Sequence, residues 1–170
     1  LNAGDWLARQ FLGDLTYSHG IMLNWLIMIC YQLFGTVPEV SADWAVRIAR
    51  VPTMLSCLGA VALTYDISKH LAARQQWLYA KHARQLGMIA AMLLMLISVW
   101  TQYAHLATQD MLLVTTELLG IWSLLRAESH LRWRWGFGFL AGLTFGLGYL
   151  IKTFMILLPA IALLPYLIFE

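Results

Sequence analysis

Five apolar runs separated by short polar turns constrain this chain more than any other feature: Trp44–Ile67, Leu86–Ala104, Met111–Leu125, Phe137–Ile151 and Phe154–Phe169. A membrane-crossing helix needs about 20 mostly apolar residues, fewer where aromatic or snorkelling ends help. In lipid, every backbone polar group must also be satisfied within the segment itself, which a helix achieves. The runs therefore predict an all-α fold, a polytopic transmembrane helix bundle. Composition removes the soluble alternatives. Of 170 residues, 61% are hydrophobic and 12% charged, against about 25% charged in ordinary soluble domains. A chain this short has no core large enough to hide that much apolar surface. A soluble enzyme, a disordered regulator and a secreted disulfide scaffold are excluded. The net charge of +2 is too small to point to a nucleic-acid partner. Cys30 and Cys57 lie inside apolar stretches and read as small buried hydrophobes, not as a bridge or a metal pair.

The scarce charges orient the runs. Lys69, Arg74, Lys81 and Arg84 fill one loop, and Arg126, Arg132 and Arg134 fill another. The positive-inside rule makes both cytoplasmic, and the two crossings between them keep the parity consistent. His105–Asp110 is then an outer turn, and Arg47, Arg50 and Lys152 stand at outer helix ends. A further stretch, Ile21–Phe34, is about 14 residues long, short for a crossing. It carries Trp25, Tyr31 and Gln32 as interfacial anchors do, so it reads as a juxtamembrane helix. Residues 1–43 are thus an outer loop with juxtamembrane helices, and residues 44–170 hold about five transmembrane helices.

Ionisable groups at membrane depth are costly and are candidates for function. Asp110, where the outer turn meets the next helix, has a carboxylate suited to a metal or a substrate hydroxyl; alternatively it, or Thr108, is an N-cap. Glu117, seven residues on, shares its helical face. Either the two bracket a cation or proton path, or Glu117 bonds a neighbouring helix. Lys152 either meets a phosphate or snorkels, and Arg47 and Arg50 either hold a lipid phosphate or touch headgroups. His19, lying just before the juxtamembrane stretch, is either structural, solvated or a ligand. His70 and His82 read as solvated loop charges, and His105 lacks a second ligand at typical metal spacing. Gly138, Gly142 and Gly146 form a small-xxx-small stripe for close helix packing.

In order along the chain stand Gly4-Asp5-Trp6-Leu7, Trp25-Leu26, Leu33-Phe34-Gly35, Trp44-Ala45-Val46-Arg47 and Arg50-Val51-Pro52-Thr53. Ala107-Thr108-Gln109-Asp110-Met111-Leu112-Leu113 and Tyr149-Leu150-Ile151-Lys152-Thr153 follow. This succession resembles the N-terminal half of membrane glycosyltransferases of the dolichyl-phosphate-mannose protein mannosyltransferase type, a group that includes the bacterial aminoarabinose (lipid A) transferases. The resemblance implies a GT-C fold and a partial transmembrane glycosyltransferase domain over 1–170. It also implies a bacterial inner-membrane enzyme with an outward-facing cavity beneath juxtamembrane helices. Its donor would be a polyprenyl-phosphate sugar, its acceptor a protein, lipid or glycan hydroxyl. Asp110 matches the family's second acidic motif, Arg50 its arginine before Leu-Pro, and Lys152 its lysine after the Gly-rich helix.

Two departures qualify the match. The family's first acidic motif, the source of the general base, would lie upstream of Leu1, so this piece alone is expected to be inactive. His19 stands where a phosphate-binding lysine often sits. The implied mechanism is inversion at the anomeric carbon, with Asp110 orienting the acceptor or holding a divalent ion and Arg50, His19 and Lys152 receiving the phosphate. Two competing readings are a transporter or flippase fragment coupling ions through Asp110 and Glu117, and a non-catalytic scaffold subunit.

Overall fold

A computed structural model describes residues 9–11, 14–16, 21–34, 42–74, 80–152 and 161–162. A short antiparallel pair comes first, β1 (Arg9–Phe11) with β2 (Asp14–Thr16), in the register Arg9↔Thr16. Beyond this ribbon of two three-residue strands the described chain is helical, as the all-α reading expects. The two-residue spacing between its strands, Leu12-Gly13 in sequence, includes the glycine that hairpin turns favour. Helices make up the remaining elements: α1 (Met22–Phe34), α2 (Ala42–Arg74), α3 (Ala83–Leu96), α4 (Ser98–Ala104), α5 (Gln109–Ser129) and α6 (Arg134–Lys152). Single 3-10 turns precede α3 and α6.

At 33 residues, α2 is about 50 Å long, well beyond a hydrocarbon core of about 30 Å. Lys69 and Arg74, expected in a loop, therefore continue the helix. Pro52 lies inside it, and the Ser56 hydroxyl donates to the Pro52 carbonyl at 2.8 Å. The run expected as one crossing at Leu86–Ala104 is two helices, α3 and α4, bent by 71° at the extended residue Ile97. Stiff β-branched neighbours, Ile97 and Val99 around Ser98, lower the helix preference there. By length and composition, α2 is long and apolar enough to cross a membrane, and α3 with α4 make a second such element if the bent pair counts as one.

Helix α5 is the centre of the described bundle. Its buried residues include Met111, Leu112, Leu113, Thr116 and Gly120. It runs antiparallel to α6, so that Gly120 lies where a Cβ would come 3.1 Å from Phe145 and Thr144. It runs parallel to α2. Thr115 donates to the Ser56 carbonyl at 2.7 Å, Asp66 meets Trp122, and Arg74 meets Glu128, each pair further along both helices. In turn, α3 lies antiparallel against α2, with Gly87 against Tyr65 and Lys69. Close packing thus falls on Gly59, Gly87 and Gly120. At Gly138, Gly142 and Gly146, where the small-residue stripe predicts it, an added Cβ meets nothing within 4 Å among the described residues.

This arrangement gives the bundle two distinct ends. The basic segments around Lys69–Arg84 and Arg126–Arg134 share one; the 105–110 turn and Lys152 share the other. Helix α1 is anchored at that second end. Leu23 packs with Leu112, Leu113 and Ile151, and the Tyr31 hydroxyl donates to the Ala45 carbonyl at 2.9 Å. The exterior of α2, α3 and α6 carries large exposed apolar side chains, among them Leu58, Met92, Leu93 and Phe139. Such a surface suits lipid far better than water.

Candidate functional site

The antiparallel pairing of α5 and α6 brings the first turn of one beside the last turn of the other. Gly120 permits the close approach, while Leu112, Leu113 and the fully buried Ile151 lock the register beneath. Above that apolar floor, Lys152 Nζ meets Asp110 Oδ1 at 2.5 Å. The two side chains are 43% and 37% exposed. They are held in place yet open on one side, as a ligand requires.

The open alternatives at these two residues are thereby narrowed. Thr108, with extended backbone, is the N-cap of α5, and neither it nor Asp110 supplies a side-chain cap bond. The Asp110 carboxylate is committed to Lys152, which therefore does not merely snorkel. The acid favours the positive end of α5 and the lysine the negative end of α6, so both dipoles support the pair. Read one at a time, the residues showed no such contact. The available signal was that both flank turns on the same side of adjacent antiparallel runs.

Arg50 stands at the same height. It lies six residues before Ser56, as Asp110 lies five before Thr115, so both are about 8–9 Å above that contact. Arg47 and Arg50 are exposed, and neither has a carboxylate within ion-pair distance among the described residues. The structure thus brings Asp110 and Lys152 together, while Arg50 makes no ion pair with either among the described residues. His19 lies outside the described residues. Met22, three residues later, packs on the cluster below Asp110 and Lys152.

Glu117 is partly buried and forms neither an ion pair nor a hydrogen bond among the described residues. A divalent cation needs several oxygen or nitrogen ligands. No group of three or more His, Cys, Asp or Glu suited to a metal gathers among the described residues. The donors present around Asp110 therefore do not by themselves fit a metal ion. His105 is exposed on the turn.

Sequence reasoning missed the other end altogether. Asp66 accepts from Trp122 Nε1 at 2.7 Å and from Arg126 at 2.5 Å, and Arg126 stacks over the Trp122 ring. Arg74 pairs with Glu128 at 2.6 Å, and His70 Nε2 lies 2.9 Å from the Ser129 hydroxyl. His70 is thus partly buried against α5, not solvated, whereas His82 is exposed beside Gln85. Arg126 and Arg74 are structural clasps more than loop charges. An acid eight residues before an arginine in one helix gives no hint of a partner sixty residues away.

Residues 18–170 match the family model described as dolichyl-phosphate-mannose-protein mannosyltransferase. The chain belongs to this family. Among similar mannosyltransferase-family proteins is the undecaprenyl phosphate-alpha-4-amino-4-deoxy-L-arabinose arabinosyl transferase of Aeromonas salmonicida. It is 31% identical over 171 residues, covering 100% of this chain and 28% of that relative. The enzyme of the same description from Pseudomonas aeruginosa strain LESB58 is 31% identical over 172 residues, with 100% and 28% covered. That of Pseudomonas fluorescens strain Pf0-1 is 30% identical over 174 residues, with 100% and 27% covered. The chain thus spans little more than a quarter of the length of these relatives. No solved structure matches it.

Proposed function

We propose that this chain is a section of a multi-pass membrane glycosyltransferase that moves a sugar from a polyprenyl-phosphate donor to a hydroxyl acceptor at the outer face of a bacterial inner membrane. The Asp110–Lys152 pair carries the reading: a half-open acid–base pair at the end of the bundle opposite the basic segments. Under the positive-inside rule the basic end faces the cytoplasm, which turns the pair outward. The similar proteins are named for transfer from an undecaprenyl-phosphate sugar, and the reading extends that donor class to this chain.

In the proposed reaction the acceptor oxygen attacks the anomeric carbon as the bond to the donor phosphate breaks, inverting that centre. The hydroxyl proton passes to a carboxylate, and the lipid phosphate leaves with the bonding electrons. The family resemblance assigns the base to an acidic pair that these 170 residues do not contain. Asp110 then orients the acceptor. Lys152 has two competing partners, the carboxylate at rest and the donor phosphate when bound. An arriving phosphate that takes the ammonium frees Asp110 to accept from the acceptor hydroxyl, so that donor binding prepares the acceptor site. Arg50, at the same height, adds positive charge for the phosphate, and His19 an imidazole that can donate to it.

One observation favours the ion-coupled transporter, namely the break at Ile97, because transporters use discontinuous helices at their sites. The residues flanking this break, Leu96, Ile97 and Val99, are exposed and apolar. Ser98, between them, is exposed as well, and no group of three or more His, Cys, Asp or Glu gathers among the described residues to bind an ion, so the transferase reading stands first. The deciding experiment is Asp110→Asn in the full-length protein, assayed for transfer from a polyprenyl-phosphate sugar. Transfer falls by about 100-fold or more with membrane expression intact; full activity overturns the role of Asp110.

A further inference from the structure

The ion pairs at the basic end divide its cations into two sets. Arg126 and Arg74 are bound by Asp66 and Glu128. Arg132 and Arg134 are exposed and have no carboxylate within ion-pair distance among the described residues. They flank the positive end of α6, where the helix dipole favours acids, so they cost the fold a little and gain nothing within it. Between and beside them, Leu131, Trp133 and Trp135 are 83%, 66% and 89% exposed.

This ledge is held firmly. The His130 N–H donates to the Arg126 carbonyl and the Trp133 N–H to the His130 carbonyl, both at 3.0 Å. The His130 ring lies against Phe137, which packs edge-on to Trp122, itself bonded to Asp66. The exposed aromatic face also continues along α6. Trp135 and Phe139 are one turn apart, and among the described residues Phe139 opens an apolar groove of about 560 Å³ lined by Gly142, Leu143, Gly146, Leu147 and Leu150. From Phe139 to Leu150 it runs about 16 Å along the helix, close to half of a hydrocarbon core about 30 Å thick.

We propose that α6 and the turn before it form a binding site for one anionic phospholipid of the leaflet at the basic end, with its headgroup phosphate on Arg132 and Arg134 and an acyl chain in the Phe139–Leu150 groove. Three features converge on this ligand. Arginines without a carboxylate partner among the described residues supply complementary charge for an anionic headgroup. The tryptophans are the residues that settle at headgroup level. The groove begins beneath them and has the length of one leaflet's chain.

The inference rests on the membrane reading above, and the test separates the two. Full-length protein is first washed in alkaline carbonate; release from the membrane overturns the membrane reading itself. Retained protein is then purified in mild detergent with phosphatidylglycerol and phosphatidylcholine, and bound lipids are counted by native mass spectrometry. The wild type retains phosphatidylglycerol preferentially. Arg132→Gln with Arg134→Gln lowers that retention by about three- to five-fold per arginine, while Arg132→Lys with Arg134→Lys keeps most of it. Gly142→Leu with Gly146→Leu lowers retention of both lipids by filling the groove. Equal retention of the two lipids by the wild type, a glutamine variant that behaves as wild type, or a lysine variant as impaired as the glutamine one overturns the site.

Discussion

At the scale of single residues, Lys152–Asp110 and Asp66–Arg126 are both salt bridges between helices, yet they serve opposite purposes. The first is half exposed, and a pair in that setting contributes at most about 1 kcal/mol to stability. Lys152→Gln therefore leaves the melting temperature of the detergent-extracted protein close to wild type, and the role proposed for Lys152 requires that sugar transfer by the full-length protein fall about 100-fold. Because one residue hands its partner to the other, Asp110→Asn combined with Lys152→Gln is no worse than the poorer single variant. Additive losses in a kinetic comparison of the three would separate the two roles. Asp66 also takes a tryptophan N–H, and its removal strands both donors. Asp66→Ala lowers stability by about 1–3 kcal/mol, seen as a lower melting temperature, while the Asp110–Lys152 end keeps its geometry. Of these residues only Asp110 and Lys152 were legible from sequence, because charges beside a membrane turn announce themselves. Asp66 was hidden, since its meaning depends on a partner in a helix that pairs with its own only in three dimensions.

Elements were legible where local composition decides them. The runs Trp44–Ile67, Met111–Leu125 and Phe137–Ile151 are each one helix, longer than the run because polar helix ends have no hydropathy signal, while Leu86–Ala104 is two and Phe154–Phe169 lies almost wholly outside the described residues. Ile97 was not legible; a continuous apolar stretch reads the same straight or bent. The glycines invert the expectation in a testable way. At Gly87 an added Cβ lands 2.8 Å from the Tyr65 carbonyl, and a backbone atom there has no rotamer to yield. Gly87→Ala thus destabilises the protein by about 1–3 kcal/mol. Gly142→Ala meets open space among the described residues and is neutral to slightly stabilising through the unfolded chain. Thermal melts of the two variants check both; a tolerated alanine at Gly87 contradicts the α2–α3 contact.

For the whole molecule, the separation of the two ends predicts how they meet the membrane. In a background with every cysteine of the full-length protein replaced, Cys30 and Cys57 among them, His105→Cys reacts with an impermeant maleimide in intact cells. Arg132→Cys reacts only after permeabilisation. Labelling of both from one side contradicts the crossing by α5 that the proposed orientation requires. Charge along the sequence is enough to show which segments share an end, because basic turns cluster; which helices touch depends on side chains that meet only in the folded bundle.

The parallel contact between α2 and α5 sets an order of assembly. Two helices that run the same way cannot close as a hairpin, so α3 and α4 must be threaded back before α5 arrives beside α2. Asp66 emerges during synthesis sixty residues ahead of Arg126. Throughout that interval the guanidinium and indole that hold it in the finished bundle are missing, and Asp66 has only the cations of its own neighbourhood, Lys69 and Arg74, for counter-charge.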